Sequence, residues 1–422
     1  MPDSAIYAAS WLINTDSDPL PGGAIAVAGG AIIATGQLAD LRRDHPAAPV
    51  VEYPGCALLP GLINSHTHLE LTHFPSWRLR THVEYNPRRF VDWVIQVIKI
   101  KRGLGRDDYA ASVREGIRMC LESGTTAVGE IVCDPTLAVL YRSSLLSGRL
   151  FFELLGHDQV RFRTQMEQAL AVCDDLDPGS FLAGLSPHTP YTIAEENLAP
   201  IREAALAKGL PLAIHISESL AEGEFMADSA GPLADELYPF VGWERYLTPP
   251  RHCSSTELLD RAGLLTPSTL AVHCVHVTLN DAEILKRRGV HAVLCPRSND
   301  RLDVGRPPVS LLKKLGIPLA LGTDSLASND SLSLWEEMRY ALQAFPRDLS
   351  PQEVFTMATA KGAAALGISA SHGSLEPGKR ADFQVVGNVG QAADKLLERA
   401  IFEGDVQEVY AGGERYTGEN CP

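Results

Sequence analysis

Hydrophobic and polar positions change rhythm along the chain, and the changes divide it. Up to about residue 57 the apolar residues come in short extended runs, AIYAASWLI, GAIAVAGGAIIATG and VVEYPGCALL, with a Gly29-Gly30 pair that predicts a hairpin turn. The other end repeats this character in GSLEPGKRADFQVVG and VQEVYAGGERYTG, again with a Gly-Gly pair. Two β-rich ends around a long middle predict one small β-sandwich domain built from residues 1–57 and 374–422.

Residues 58–373 alternate instead. The run leading into His66 is followed by TTAVGEIV, RLFFELLG, SFLAGLSPH, LPLAIHIS, TLAVHCVHV, HAVLCPRS and IPLALGTDS, eight strand candidates in all. Helical patterns lie between them. In LWEEMRYALQAF the residues Leu334, Met338, Ala341 and Phe345 recur at helical spacing, and the next helix opens with Ser350, Pro351 and Glu353, a capping signature. Eight alternating units predict an α/β fold, a (β/α)8 TIM barrel as catalytic domain.

Polar residues then break the apolar pattern at one kind of place. His66 and His68 end strand one, His188 strand four, His215 strand five, His273 and His276 strand six, Arg297 strand seven and Asp324 strand eight. In a barrel all these ends meet at one rim, where catalytic groups belong. Residues i and i+2 of a strand share a face, so His66 and His68 can hold one ion. That pair alone is a weak signal; with His215 and Asp324 it becomes three imidazoles and a carboxylate, a set that suits Zn2+ and also Fe2+. Glu218 lies three residues beyond His215, where a carboxyl group can move protons over the metal. His273 is a non-ligand partner for a developing oxyanion, whereas His276 reads equally as structural. Neither HExxH nor PCxxC occurs, which removes zincin proteases and the cytidine-type zinc deaminases.

Bulk composition narrows the partners. The 422 residues carry 37 basic and 52 acidic side chains, a formal charge of -15 that disfavours nucleic acid. Eight scattered cysteines without a CxxC pair read as reduced thiols, the N-terminus lacks a signal-peptide pattern, and no apolar run is long enough for a bilayer. A soluble cytoplasmic protein is expected.

PGLINSHTH, HISE, VHCVH, CPRSN, LGTDS and GSLEPGKRADF, in that order, resemble the amidohydrolase superfamily, and within it the single-metal branch of deaminases and triazine hydrolases. The resemblance covers about Pro60 to Asp382. It implies a metal on His66, His68, His215 and Asp324, with Glu218 as proton shuttle assisted by His273. Asp324 would also accept a proton from the attacking water. The segment LSPHT has no lysine where two-metal relatives carry a carboxylated one, so the resemblance implies one metal. The implied reaction is hydrolytic deamination, in which water attacks an amino-bearing ring carbon, Glu218 protonates the ring nitrogen beside it, and ammonia leaves. A homodimer is also implied.

Substrate contacts are read from fewer signals. SPHTPYT resembles a segment that nucleoside deaminases use to contact base or sugar, which nominates His188. Trp77, Tyr85, Phe90 and Trp93 lie in an aromatic, amphipathic stretch that can form a lid over a planar ring. Methylthioadenosine and S-adenosylhomocysteine deaminases carry an acidic residue late in this stretch, where this chain reads QVIKIKRG. Arg297 and Arg306 are instead candidates for pairing with a substrate carboxylate. HTHLEL and FVDWV are similar to the aminodeoxyfutalosine deaminases, which makes 6-aminodeoxyfutalosine the first expectation. Methylthioadenosine or S-adenosylhomocysteine, guanine, cytosine and chlorinated triazines are the alternatives, and a non-catalytic assembly barrel is the remote one. Glu70 reads either as a substrate neighbour or as a brace.

Overall fold

The computed structural model describes residues 4–176, 179, 181–390 and 392–420. Cys421 lies outside the described residues, and the other seven cysteines are free thiols. Eight parallel strands form the middle of the chain: strand one Leu62–Thr67, two Thr125–Val132, three Ser147–Leu154, four Phe181–Pro187, five Leu212–Ile216, six Thr269–His273, seven His291–Leu294 and eight Leu319–Leu321. They are bonded in sequence order, and a parallel bridge from Thr67 to Asp324 joins the last to the first. This is the expected barrel.

Period-two alternation builds its two hydrophobic layers. Ile63, Phe151, Ala213, Leu270, Val293 and Ala320 fill the interior. Their sequence neighbours Leu62, Leu150, Ile214, Ala271, Leu294 and Leu321 pack outward with the helices. The helix Leu334–Ala344 buries Leu334, Met338 and Ala341, as its spacing predicts. Helix Pro351–Met357 has the expected capping box between Ser350 and Glu353.

The chain ends meet in one mixed sheet of eight strands. Its path runs Glu414–Arg415, Asp405–Ala411, Phe383–Gly387, Val50–Pro60, Ala5–Leu12, Gly23–Ala28 and Ala31–Gln37, with Leu20–Pro21 paired to Ala5–Leu12. All of its pairs are antiparallel except that of Ala5–Leu12 with Val50–Pro60. Gly29 and Gly30, at φ +58° and +78°, make the hairpin turn in the left-handed region that glycine adopts without strain. Apolar residues cover both faces of this sheet. Strand Val50–Pro60 runs across position 57, and one residue later the chain enters the barrel at Leu62. No helix among the described residues is long and apolar enough to cross a membrane.

Candidate functional site

Barrel closure itself assembles the first part of the site. The amides of Thr323 and Asp324 both donate to the carbonyl of His66, each at 3.1 Å. Buried Asn64 locks the same junction, accepting from Thr323 N at 3.1 Å and donating to Thr323 Oγ1 at 2.7 Å. Gly322 permits the approach, since a Cβ there would meet His66 Cβ, O and N at 2.8, 2.9 and 3.0 Å. His66 and Asp324, distant in sequence, are therefore placed by backbone bonds.

Four imidazoles and one carboxylate converge there. His66 Nε2 and His68 Nε2 lie 3.2 Å apart, and 3.7 and 3.6 Å from Asp324 Oδ1. The donor atoms of His66, His68 and Asp324 lie within 4.8 Å of one another, as do those of His66, His215 and His273. His215 Nδ1 donates to the carbonyl of His188 at 2.8 Å, which leaves its Nε2 lone pair free. Burial lowers the pKa of His66, His215 and His273, and takes His68 down to about 3. Neutral rings with lone pairs result. Burial works against ionisation of Asp324, yet the surrounding imidazoles hold its carboxyl well below the ordinary range. Its Oδ2 accepts from Ser298 Oγ and Ser328 Oγ, both at 2.7 Å, which aims Oδ1 at the histidines. Neutral imidazoles facing an ionised, oriented carboxylate are the donor set that a divalent metal needs, so these residues fit one.

Glu218 is buried beside them, and burial, reinforced by Asp324 and Glu222, raises its pKa well above the ordinary carboxyl value. Burial thus favours its carboxylic acid form. His273 Nε2 lies 3.7 Å from Glu218 Oε1, and its Nδ1 donates to Asn299 Oδ1 at 2.9 Å. The Glu218 loop is pinned from below: Glu222 accepts the amides of Ser217 and Glu218, each at 2.8 Å, and the hydroxyl of Ser255. Backbone strain gathers at this rim, with φ of +53° at Ser217, +72° at His273, +51° at Cys274 and +60° at Asp324.

These groups open into one cavity. One wall is a stripe of the helix Phe90–Lys101, contributed by Phe90, Trp93, Val94, Val97, Ile98 and Lys101. Leu237, Val241 and Trp243 face it from the segment after strand five. His188 lines the cavity too, with Nδ1 2.9 Å from Thr192 Oγ1. Trp93 also fixes the wall, donating from Nε1 to the carbonyl of Ala327 at 2.9 Å.

Other sequence candidates lie elsewhere. Trp77 is buried against His73 and Tyr109, and neither it nor Tyr85 lines the cavity. Arg297 sits in the first turn of the helix Pro296–Arg301, ion-paired with Asp330 and Glu336. Arg306 is exposed and bonds the carbonyl of Ala344 at 3.3 Å. Neither arginine lines the cavity. His276 Nε2 donates to the carbonyl of Val304 at 2.6 Å, a structural bond. Glu70 is a brace, accepting the amides of Cys133 and Asp134 at 3.0 and 3.2 Å.

Sequence reasoning missed four features: Ser298 and Ser328 on Asp324, Glu222 under the loop, Lys101 in the wall, and Glu153 in the lining. Glu153 carried a signal, as the one charged residue late in the apolar run of strand three. The serines and Glu222 carried none, because short polar residues near strand ends are common in loops.

Comparison with known proteins agrees with this architecture. Residues 57–415 match the model of the amidohydrolase family. An aminodeoxyfutalosine deaminase of Deinococcus radiodurans is 33% identical over 362 residues, 81% of this chain and 80% of that protein. A 5-methylthioadenosine/S-adenosylhomocysteine deaminase of Syntrophobacter fumaroxidans is 31% identical over 387 residues, 89% of this chain and 82% of that protein. The crystal structure of an adenosine deaminase from Xanthomonas campestris with bound zinc superposes with a TM-score of 0.79 at 26% identity, covering 98% of this chain and 93% of that one. With its barrel, its histidine-aspartate rim and these likenesses, the chain belongs to the amidohydrolase family.

Proposed function

We propose that the protein is a metal-dependent hydrolytic deaminase of an amino-substituted purine nucleoside, releasing ammonia and leaving the oxo base. The observation that carries this is the placement of buried Glu218, whose surroundings favour its acid form, beside the His66, His68, His215 and Asp324 donor set, in one cavity with an aromatic wall. His66, His68, His215 and Asp324 would hold one divalent metal, best Zn2+, which supplies Lewis-acid activation of water when bound. Asp324, ionised and oriented by two serines, takes a proton from the attacking water. Glu218 in its acid form donates to the ring nitrogen next to the amino-bearing carbon. The proton that Asp324 took from the water then goes to the amino group, which leaves as ammonia, while the hydroxyl proton of the attacked centre returns to Glu218 as the carbonyl forms. His273 stands at Glu218 Oε1 to assist that transfer and to stabilise charge on the attacked centre. His188, Phe90 and Trp93 bound the space for the base and what it carries.

For the substrate we infer 6-aminodeoxyfutalosine first, on the likeness to the Deinococcus deaminase. The positions of Arg297 and Arg306 lend that reading no support. A second reading, an adenine nucleoside with an uncharged apolar 5′ group, is favoured by the apolar stripe from Phe90 to Ile98.

The test is ammonia release by the zinc-loaded protein from adenosine, methylthioadenosine, S-adenosylhomocysteine, aminodeoxyfutalosine, guanine and cytosine. Glu218→Gln should lower turnover of the preferred nucleoside by about 10²–10⁴-fold while zinc content stays the same. Turnover of guanine or cytosine alone would discard the nucleoside reading, and silence across the panel would discard deamination.

A further inference from the structure

The metal ligands are not held alike. His215 is aimed by the carbonyl of His188 at its Nδ1, Asp324 by two serine hydroxyls at its Oδ2, and His66 sits in the barrel seam. His68 has no such support. Among the described residues its ring bonds only Nε2 of His66, with Asp324 Oδ1 3.6 Å away. No hydrogen bond from outside the donor set turns this ring, so its direction must come from the backbone.

The barrel ladder supplies only half of that. Strand one ends at Thr67, and His68 leaves it at φ -127° and ψ 81° to enter the short helical turn Leu69–Leu71. What catches the chain there is Glu130. It stands on strand two opposite Thr67, fully buried, and its Oε1 accepts the amide of Leu69 at 2.8 Å. The hydroxyl of buried Tyr141 donates to the same oxygen at 2.6 Å and so fixes where it lies. Oε2 is buried with no partner among the described residues, so the hydrogen bonding of this carboxyl runs through Oε1. Gly129 lets the two strands come this close, since a Cβ there would meet the carbonyl oxygen of Ser65 at 2.5 Å.

The consequence for His68 is geometric. The N–H of Leu69 and the C=O of His68 belong to one planar peptide unit, so the bond to Glu130 fixes that plane. Thr67 is held on the other side by its bridge to Asp324 and its pairing with strand two. With both flanking peptide planes fixed, the direction of the His68 Cβ is fixed as well. Glu70 ties the same turn to the amides of Cys133 and Asp134, but only the bond from Glu130 falls on the residue joined to His68.

We propose that Glu130 is a positioning residue for the metal ligand His68, acting through the Leu69 amide, with Tyr141 holding its acceptor oxygen in place. This rests on the metal reading above and is independent of which nucleoside is turned over.

The experiment loads the full chain with Zn2+ to measure affinity against a chelator, and with Co2+ to record visible bands that report ligand geometry. Glu130→Met removes the acceptor and should weaken zinc binding by about 10–100-fold and shift the cobalt bands. Glu130→Gln keeps an acceptor oxygen. Burial raises the Glu130 pKa well above the ordinary carboxyl value, so the neutral amide is a close copy, and this variant should recover most of the affinity and the wild-type bands. Adding Tyr141→Phe to Glu130→Met removes the stranded hydroxyl. Melting temperature should then recover in part, while zinc binding stays at least about tenfold weak.

Zinc affinity that returns together with melting temperature would make Glu130 a residue of the fold alone and overturn the proposal. Wild-type affinity and bands in Glu130→Met would overturn it too, as would a Glu130→Gln variant no tighter than Glu130→Met. The expected pattern in a protein that releases no ammonia from any nucleoside would support the positioning role and reject deamination. A wild type that takes up neither metal would overturn the metal reading and this proposal together.

Discussion

Ser298 donates its hydroxyl to Oδ2 of Asp324 at 2.7 Å and so decides which oxygen of that carboxylate faces His66 and His68. Ser328 does the same from four residues beyond Asp324. Groups that orient a metal ligand are worth about 10–100-fold in metal affinity. Ser298→Ala combined with Ser328→Ala should therefore weaken zinc binding by at least about tenfold, read by competition with a chelator. An unchanged affinity would mean that backbone closure alone aims Asp324.

Glu222 holds the Glu218 loop through two backbone amides and the Ser255 hydroxyl, and is itself only 1% exposed. Glu222→Gln keeps the shape but puts an NH2 group where one acceptor was. Turnover should fall by about tenfold or more with zinc content retained, and kcat should carry more of the loss than KM. A loss confined to KM would place the loop's role in binding.

At Gly322 an added methyl would collide with His66 backbone atoms that cannot yield without opening the barrel seam. Gly322→Ala is expected to lose zinc and activity together while far-UV circular dichroism stays barrel-like. Full zinc occupancy in this variant would show that the seam can shift and keep its ligands.

Stability should carry the signature of Glu337, buried beneath the rim and accepting Arg297 N at 2.9 Å. Burial raises its pKa from 4.5 to about 8, although the bond from Arg297 and that residue's charge oppose the rise. The folded state thus holds a proton that the unfolded chain releases above pH 4.5. Its contribution to stability is intact below that pH, declines as pH rises, and is fully lost above about 8. Melting temperatures of wild type should fall between about pH 5 and pH 8, and those of Glu337→Gln should fall less steeply. Parallel curves would rule Glu337 out as the source.

Much of the site was legible because barrel geometry maps sequence order onto space. His66, His68, His215, His273 and Asp324 each close or follow a strand run, and every such position reaches the same rim. Substrate contacts were less legible. Trp77 and Trp93 belong to one amphipathic stretch, yet Trp77 packs against Tyr109 while Trp93 lines the cavity. Two helices, Phe74–Arg80 and Phe90–Lys101, break that stretch, and which face of each meets the barrel depends on the turn between them. Arg297 and Arg306 were near the rim in sequence, but acidic neighbours from the following loop and helix claim Arg297.

By itself the sequence determined the eight-fold alternation, the sheet built from both ends, and the residues His66, His68, His215, Glu218, His273 and Asp324 that come together at the rim. These depend on local periodicity and on residue chemistry, which a chain carries wherever it folds. Tertiary structure alone decided that Asp324 would be held by Ser298 and Ser328, that Glu222 would anchor Glu218, and that Lys101 and Glu153 would meet across Cys133. Ser328 and Glu222 act within one local segment, four residues from the groups they hold, whereas Ser298 with Asp324 and Lys101 with Cys133 and Glu153 join separate β/α units. The contacts between units follow from how barrel closure and helix packing aim side chains, which no short stretch of residues encodes.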